Sequence, residues 1–286
     1  MFSLLASIID GILTGAVYGL AAMGLTLVWG AMRIVNLAHG TLIAGGMFAL
    51  LLLGGAIGGL HYAMIPVIAV LALLAGMALY WVAIHRVARQ AALMSLLATF
   101  AVNMILVGLG TAVWGTAVFN VDMRVPGITW NGYTFPGTHV MAAVLSIAIA
   151  GMLYLFLYRT RLGKAVRAVA SNRDAAALCG IPTTNVLSFV VGLGAALAAT
   201  SGALIATMLP FTILSGNEYL LKSFIVTVLG GLGNPAGALC GGLALGLLEG
   251  IATPFMPVSW VSVVEFGLFV TALVAFPGGL FNFRKA

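Results

Sequence analysis

Polar residues able to do chemistry are sparse in this chain, and their spacing is the first clue to its work. Asn36 and His39 stand three apart in Ile34-Val35-Asn36-Leu37-Ala38-His39-Gly40, between two long apolar runs. On a helix they would share a face with Gly40, with Arg33 one turn earlier. Thr99 and Asn103, four apart, form a second polar stripe, and Lys222 lies inside a third apolar run, four residues after Glu218. A neutral imidazole both donates and accepts hydrogen bonds, which suits two roles. Asn36, His39 and Gly40 could line a translocation path or its gate, or they could make interhelical hydrogen bonds that fix packing. Lys222 poses the same choice. Its spacing from Glu218 favours an i,i+4 ion pair, with the amine snorkelling to the outer interface. The alternative is contact with a substrate carboxylate. Asp10 and Glu218 sit near span ends, which leaves Glu249 and Glu265 as the intramembrane carboxylates that an ion-coupled carrier would need. Glu249 is equally well explained as a structural partner of a neighbouring polar group.

The elements that must position these residues follow from composition. Of 286 residues, 63% are hydrophobic and 6% charged, and mean hydropathy is +1.19. Soluble domains carry about a quarter charged residues, so this is not one. Apolar runs of roughly twenty residues recur along the chain, each long enough to cross a hydrocarbon core of about 30 Å as a helix. Short alternating segments of the kind that build a barrel are not visible. The expectation is an all-α polytopic membrane protein, a single transmembrane domain over 1–286 with eight or nine transmembrane or re-entrant helices. The net charge of +6 reads as loop charge that fixes orientation rather than as a nucleic-acid footprint.

Loops separate the runs. "HRVARQ" breaks the chain at 85–90. The segment 118–138 is rich in Pro, Gly, Asn and Thr, and its Asn131-Gly132 pair predicts a turn. A charged loop spans 159–185, and "GGLGNPAG" at 230–237 interrupts an otherwise apolar stretch, leaving a short piece before it that reads as a half-helix or re-entrant segment. Placing the 85–90 loop inside and alternating puts Arg33, Arg86, Arg89, Arg159, Arg161, Lys164, Arg167, Arg173, Arg284 and Lys285 in the cytoplasm. Arg124 alone then falls outside, and Lys222 lies within a span. The positive-inside rule therefore predicts an outer N-terminus and a cytoplasmic C-terminus. No Lys or Arg precedes Arg33, so no secretory leader is expected. Gly11, Gly15 and Gly19 repeat every four residues, as do Gly233, Gly237 and Gly241, and Gly242, Gly246 and Gly250. Such stripes let helix backbones approach closely, and their place near both ends suggests an internal repeat. Cys179 and Cys240 lack metal-ligand spacing and are expected to be free thiols.

In "RTRLGKAVRAVASNRDAAALCGIP", Arg159, Arg161, Lys164 and Arg167 interleave with Val166, Ala168 and Val169, which suits an amphipathic helix at the inner membrane surface. Ser171 with Asp174 predicts the cap of a second short helix, Gly180 its left-handed end, and Pro182 its stop. The bland alternative is a solvated connector. The stretch Asp174–Gly180, "DAAALCG", resembles the "EAA…G" pattern of ATP-binding-cassette permeases, with Asp in place of Glu and without the usual downstream Ile and Leu-Pro. The combined set "GLTLVWGAMRIVNLAHG", "RLGKAVRAVASNRDAAALCGI" and "LLKSFIVTVLGGLGNPAGALCGGLALGLLEG" is similar, in order and spacing, to branched-chain amino acid permeases of the LivH type. The "NLAHG" form is also similar to urea and short-chain amide permeases. The resemblance covers nearly the whole chain.

It implies a non-catalytic membrane subunit of an importer in the bacterial inner membrane. The implied partners are a second, related permease subunit, two cytoplasmic ATPases and an extracytoplasmic substrate-binding protein, with no cofactor, metal or nucleic acid. It also implies that Arg167, Asp174, Ala175, Ala176 and Gly180 belong to a helix that couples to the ATPase. The residues agree with that division. No "GxxxxGK[ST]" loop is present to cradle ATP, and no "HExxH" or "GxSxG" to support hydrolysis. An ion-gradient carrier is the rival class, in which the coupling loop would have no role.

Overall fold

The computed structural model describes residues 2–56, 61–87, 92–123, 125–130, 133–275 and 279. Arg89, Arg124, the Asn131-Gly132 turn, Arg284 and Lys285 lie outside the described residues. The apolar runs form helices α1 (Phe2–Met32), α2 (His39–Ala56) and α3 (Ile65–Leu79). A 3-10 turn, His61–Met64, leads into α3, and a π turn, Tyr80–Ile84, joins it to the short α4 (His85–Val87). Then follow α5 (Ala92–Trp114), α6 (Gly137–Arg159), α7 (Arg161–Ser171), α8 (Arg173–Leu178) and α9 (Thr183–Ala206). The last three are α10 (Ser215–Gly230), α11 (Pro235–Ala252) and α12 (Val258–Ala275). Among the described residues six helical stretches are long and apolar enough to cross a membrane, and His39–Gly55 and Ser259–Ala275 are shorter apolar helices. With 16 residues, α10 extends about 24 Å, less than a hydrocarbon core. The chain is a polytopic α-helical membrane protein.

One feature departs from the all-α expectation. Within the 118–138 loop, β1 (Ile128–Trp130) pairs antiparallel with β2 (Tyr133–Phe135), in the register Ile128 to Phe135. Thr, Trp and Tyr favour extended pairing.

Two helices make the centre. The spanning stretch of α9 is 89% buried and that of α1 83%, against 17% for α5 and 22% for the α3–α4 rod. Small residues are the reason. Gly11, Gly15 and Gly19 of α1 run antiparallel against Gly250, Gly246, Gly242 and Leu239 of α11, backbone on backbone. A Cβ added at Gly15 would stand 2.6 Å from the Gly242 carbonyl oxygen, and one at Gly242 2.6 Å from that of Gly15. On the other flanks, Gly24 meets Gly194 of α9, and Gly76 of α3 meets Gly192 and Ala195. Gly202 of α9 packs on Ile43, and Gly46 of α2 on Ala199. In lipid no hydrophobic force drives helices together, so close packing of this kind must hold the bundle.

The break expected at 230–237 is a tight reversal. Gly231 and Gly233 take φ of 93° and 83°, and Pro235 opens α11 at its first turn. Left-handed backbone costs glycine little, and proline at that position loses no hydrogen bond. The reversal brings Gly233 against Gly30 at the end of α1.

Polar contacts define two ends. At one end Tyr62 Oη donates to the Thr138 carbonyl (3.5 Å) and reaches Thr207 Oγ1 (3.4 Å). Phe119 and Phe211 exchange backbone hydrogen bonds of 2.8 and 2.9 Å, and His139 Nδ1 meets Asp10 Oδ1 at 2.5 Å. At the other end, Ser95 Oγ donates to the Val87 carbonyl and the 33–37 connector touches α5. Of the described cations, Arg33, Arg86, Arg159, Arg161, Lys164, Arg167 and Arg173 belong to that second end, and Lys222 lies between the ends.

The seam yields a contrast that can be measured. Gly15→Leu and Gly246→Leu should abolish a monodisperse peak in detergent size-exclusion chromatography, because no rotamer fits against backbone. Gly45 has nothing within 4 Å of an added Cβ. Gly45→Ala should therefore retain the fold and raise stability by up to about 0.5–1 kcal/mol through helix propensity, read as a higher melting temperature.

Candidate functional site

The polar residues sort into three groups. The first lies at the junction of α1 and α2. Helix α1 ends at Arg33, whose amide donates to the Trp29 carbonyl (2.7 Å) and whose φ is 54°, a left-handed value unusual for a residue with a Cβ. Asn36 is not on a helix, contrary to expectation. Its Oδ1 accepts from the Ala38 amide (3.1 Å), and its carbonyl accepts from the His39 amide (3.2 Å). A carboxamide that binds backbone two residues ahead favours a turn, so α2 begins only at His39.

His39 is 1% exposed, and its Nε2 lies 3.0 Å from the Ala21 carbonyl oxygen of α1. A carbonyl can only accept, so the imidazole donates there. Gly40 sits against Gly216 of α10, and each leaves no room for a side chain on the other. Thr99 Oγ1 accepts from the Leu37 amide (3.2 Å) and donates to the Leu96 carbonyl (3.1 Å). Asn36, His39, Gly40 and Thr99 are thus brought together as a knot joining α1, α2, α5 and α10. Asn103 stands one turn along α5, 4% exposed, with Oδ1 lacking a hydrogen bond among the described residues.

The second group centres on Lys222. Its partner is not Glu218, which is exposed in the first turn of α10. Lys222 Nζ forms an ion pair with Glu249 of α11, approaches Glu265 Oε1 of α12 at 3.5 Å, and donates to Tyr18 Oη of α1 at 3.4 Å. It also lies 4.8 Å from the centre of the Tyr18 ring. A charge in hydrocarbon needs a counter-charge held equally deep, and Glu249 and Glu265 supply it where Glu218 cannot. The sequence offered one signal for this, a single carboxylate in each of two apolar runs. Nothing in it pointed to Tyr18.

The third group is the loop after α6. Thr160 caps α7 by accepting from the Gly163 amide (2.9 Å). Helix α8 is capped by Asn172, whose Oδ1 accepts from the Ala175 amide (3.0 Å), rather than by Ser171. Ser171 is the last residue of α7, and the chain turns extended only at Asn172 (φ −156°, ψ 110°), where a cap can form. Asp174 then sits in the first turn of α8, next to the helix's positive end. Gly180 has φ 79°, and the Ile181 amide donates back to the Ala176 carbonyl (3.1 Å), as expected of a glycine-ended helix. Arg167 Nε donates to the Leu157 carbonyl (3.0 Å) with its guanidinium 4.4 Å from the Tyr158 ring centre, which ties α7 to the end of α6. Ala176 is 5% exposed and packs inward. The outward face of α8 carries Ala175, Ala177 and Leu178, and Leu178 is 90% exposed. Cys179 and Cys240 are both free and exposed.

The family model described as the permease component of the branched-chain amino acid transport system matches residues 7–273. A high-affinity branched-chain amino acid transport system permease protein, LivH of Escherichia coli K12, is 29% identical over 300 residues, covering 96% of this chain and 94% of the relative. BraD of Pseudomonas aeruginosa, described in the same words, is 27% identical over 296 residues, covering 98% and 96%. A probable LivH of Methanocaldococcus jannaschii is 30% identical over 250 residues, 83% of this chain and 77% of its own.

The knot at His39 makes a direct prediction. His39→Leu removes the donor to Ala21 and should lower the melting temperature in detergent by the equivalent of about 1 kcal/mol. His39→Gln, which keeps an N–H, should recover part of the loss. Equal melting temperatures for wild type and His39→Leu would mean the bond carries no weight.

Proposed function

The chain belongs to the family of branched-chain amino acid transport system permease components, and on that premise we propose that it is the membrane-spanning subunit of an ATP-driven importer of branched-chain amino acids. The proposed partners are a second, related permease, two cytoplasmic ATPases and an extracytoplasmic binding protein, all at a bacterial-type inner membrane. Counting α10 as a pass, the chain crosses nine times with its N-terminus outside and C-terminus inside. The clustering of described loop cations at one end of the bundle supports that orientation.

The observation that carries the energy-coupling part is the platform α7–α8. A surface loop with two side-chain caps, a glycine stop and an arginine anchor is held in one shape. At its tip it presents Leu178, 90% exposed, beside Ala175 and Cys179. An apolar side chain this exposed on a rigid platform suits insertion into a pocket of a partner. In this reading Arg167, Ala176 and Gly180 shape the platform, Asp174 orders its first turn, and Ala175 with Leu178 meets the ATPase.

For the translocation path, Asn103 and Lys222 offer polar atoms at membrane depth. Asn36, His39, Gly40 and Thr99 act by holding the helices around it, since the hydrogen bonds of the three polar residues go to backbone. The recess of about 220 Å³ beside Asp10 and the hairpin residues Tyr133, Thr134 and Phe135 lies on the outer face in this orientation, where the binding protein would approach.

Orientation is tested with the natural thiols. In a Cys240→Ser background, an impermeant maleimide should leave Cys179 unlabelled in intact cells and label it in inverted vesicles. Labelling from outside would reverse the assignment.

Coupling is tested at Leu178. Leu178→Asp should leave the melting temperature of the permease unchanged while the ATPase no longer copurifies and uptake is lost. Ala176→Glu should instead destabilise the loop itself, because Ala176 is buried. Full uptake by Leu178→Asp at normal expression would remove α8 as the docking element.

A further inference from the structure

Glu265 is the buried carboxylate whose hydrogen-bonding capacity the described residues leave unfilled. It is 2% exposed, and its Oε1 accepts no hydrogen bond among the described residues. The nearest cation, Lys222 Nζ, is 3.5 Å away and already engaged by Glu249. A buried acceptor without a donor is costly, and a protein that keeps one at membrane depth has a use for it. Around it stand one ammonium, a second carboxylate and the Tyr18 phenol, supplied by α1, α10, α11 and α12. The side chains of Lys222 and Glu249 are each 14% exposed, against 3% for Glu265. Phe269 stands one turn along α12 from Glu265, and its ring lies 5.8 Å from that of Phe224 on α10.

We propose that this cluster receives the head group of an α-amino acid in transit. The substrate ammonium donates to Glu265 Oε1, its carboxylate accepts from Lys222, and its branched side chain lies toward Phe224 and Phe269. A zwitterion brings one charge of each sign. It can enter an existing ion pair by exchanging partners, leaving the net charge at membrane depth unchanged. A neutral solute such as urea can hydrogen-bond to both groups, but it brings no charge to replace either partner of the ion pair. The chemistry is thus selective for amino acids over amides, and the inference rests on the reading of the chain as an amino-acid permease.

The test uses the assembled transporter in nanodiscs without its binding protein, with leucine as the probe. Leucine should raise the melting temperature of the wild-type complex, whereas urea and 4-methylpentanoate, which lacks the ammonium, should not. Glu265→Gln keeps the shape and leaves the Lys222–Glu249 pair in place. It should melt near wild type without ligand, yet need roughly tenfold more leucine or above for the same shift, as expected for one charge-assisted hydrogen bond. A leucine response unchanged in Glu265→Gln overturns the proposal. So does a fall in ligand-free melting temperature with leucine affinity intact, which would mark Glu265 as a clamp for α12. Should Glu265→Gln fail to assemble, Glu265→Asp retains the charge and shortens the reach, and the same leucine titration decides. Leucine import by the wild-type complex is measured in parallel. Import with an unaltered Glu265→Gln response removes only the head-group site, whereas import of urea in place of leucine removes the substrate reading itself.

Discussion

Backbone contact without side chains is the constraint on which this structure rests. Lipid offers helices no hydrophobic reason to associate, so they must gain from packing, and packing gains most where chains come closest. In α1 that closeness is achieved through Gly11, Gly15 and Gly19 against α11, and through Gly24 against α9. Helix α9 repeats the arrangement toward α2 and α3 with Gly192 and Gly202. The helices that lack such seams, α5 above all, sit at the margin with most of their surface exposed. Marginal helices of this kind turn most of their apolar surface outward.

The same lack of water governs the polar residues. A hydroxyl, amide or imidazole at membrane depth must find a partner inside the protein. Asn36, His39 and Thr99 find theirs in backbone groups at the α1–α2 junction, where the chain has to turn and its own amides need acceptors. Their chemistry is largely consumed by structure. Lys222 is different, because backbone cannot neutralise a charge. It draws Glu249 and Glu265 from two other helices, and the resulting set holds more acceptor capacity than it has donors. Unspent hydrogen-bonding capacity at Glu265 Oε1 separates this cluster from the junction.

The α7–α8 platform follows a third logic. Helices of 11 and 6 residues are too short to be stable alone, so α7 and α8 depend on caps and on their buried faces. Val166, Val169 and Ala176 supply those faces, with Arg167 fixed to the end of α6. The platform is strung between the spanning helices α6 and α9.

Much of this was legible in the residues themselves. Hydropathy and loop charge mark the spanning helices, because burial in lipid tolerates few alternatives to an apolar run. The reversal at 230–237 follows from glycine and proline, whose backbone preferences act locally. The glycine stripes are visible as stripes, and Gly180 as a helix stop. What the sequence could not determine is who meets whom. Glu218 is the nearest carboxylate to Lys222 along the helix, yet the fold pairs Lys222 with Glu249 and Glu265, residues 27 and 43 positions away. Asn36 and His39 share a helical face on paper, and a turn made by the Asn36 side chain leaves Asn36 outside the helix that His39 begins. Ala176 and Leu178 sit two residues apart in one motif, and only the seating of α8 on its neighbours buries the first and exposes the second. Local preferences are written residue by residue; pairing at a distance depends on how backbones pack, and that is decided by the whole bundle at once.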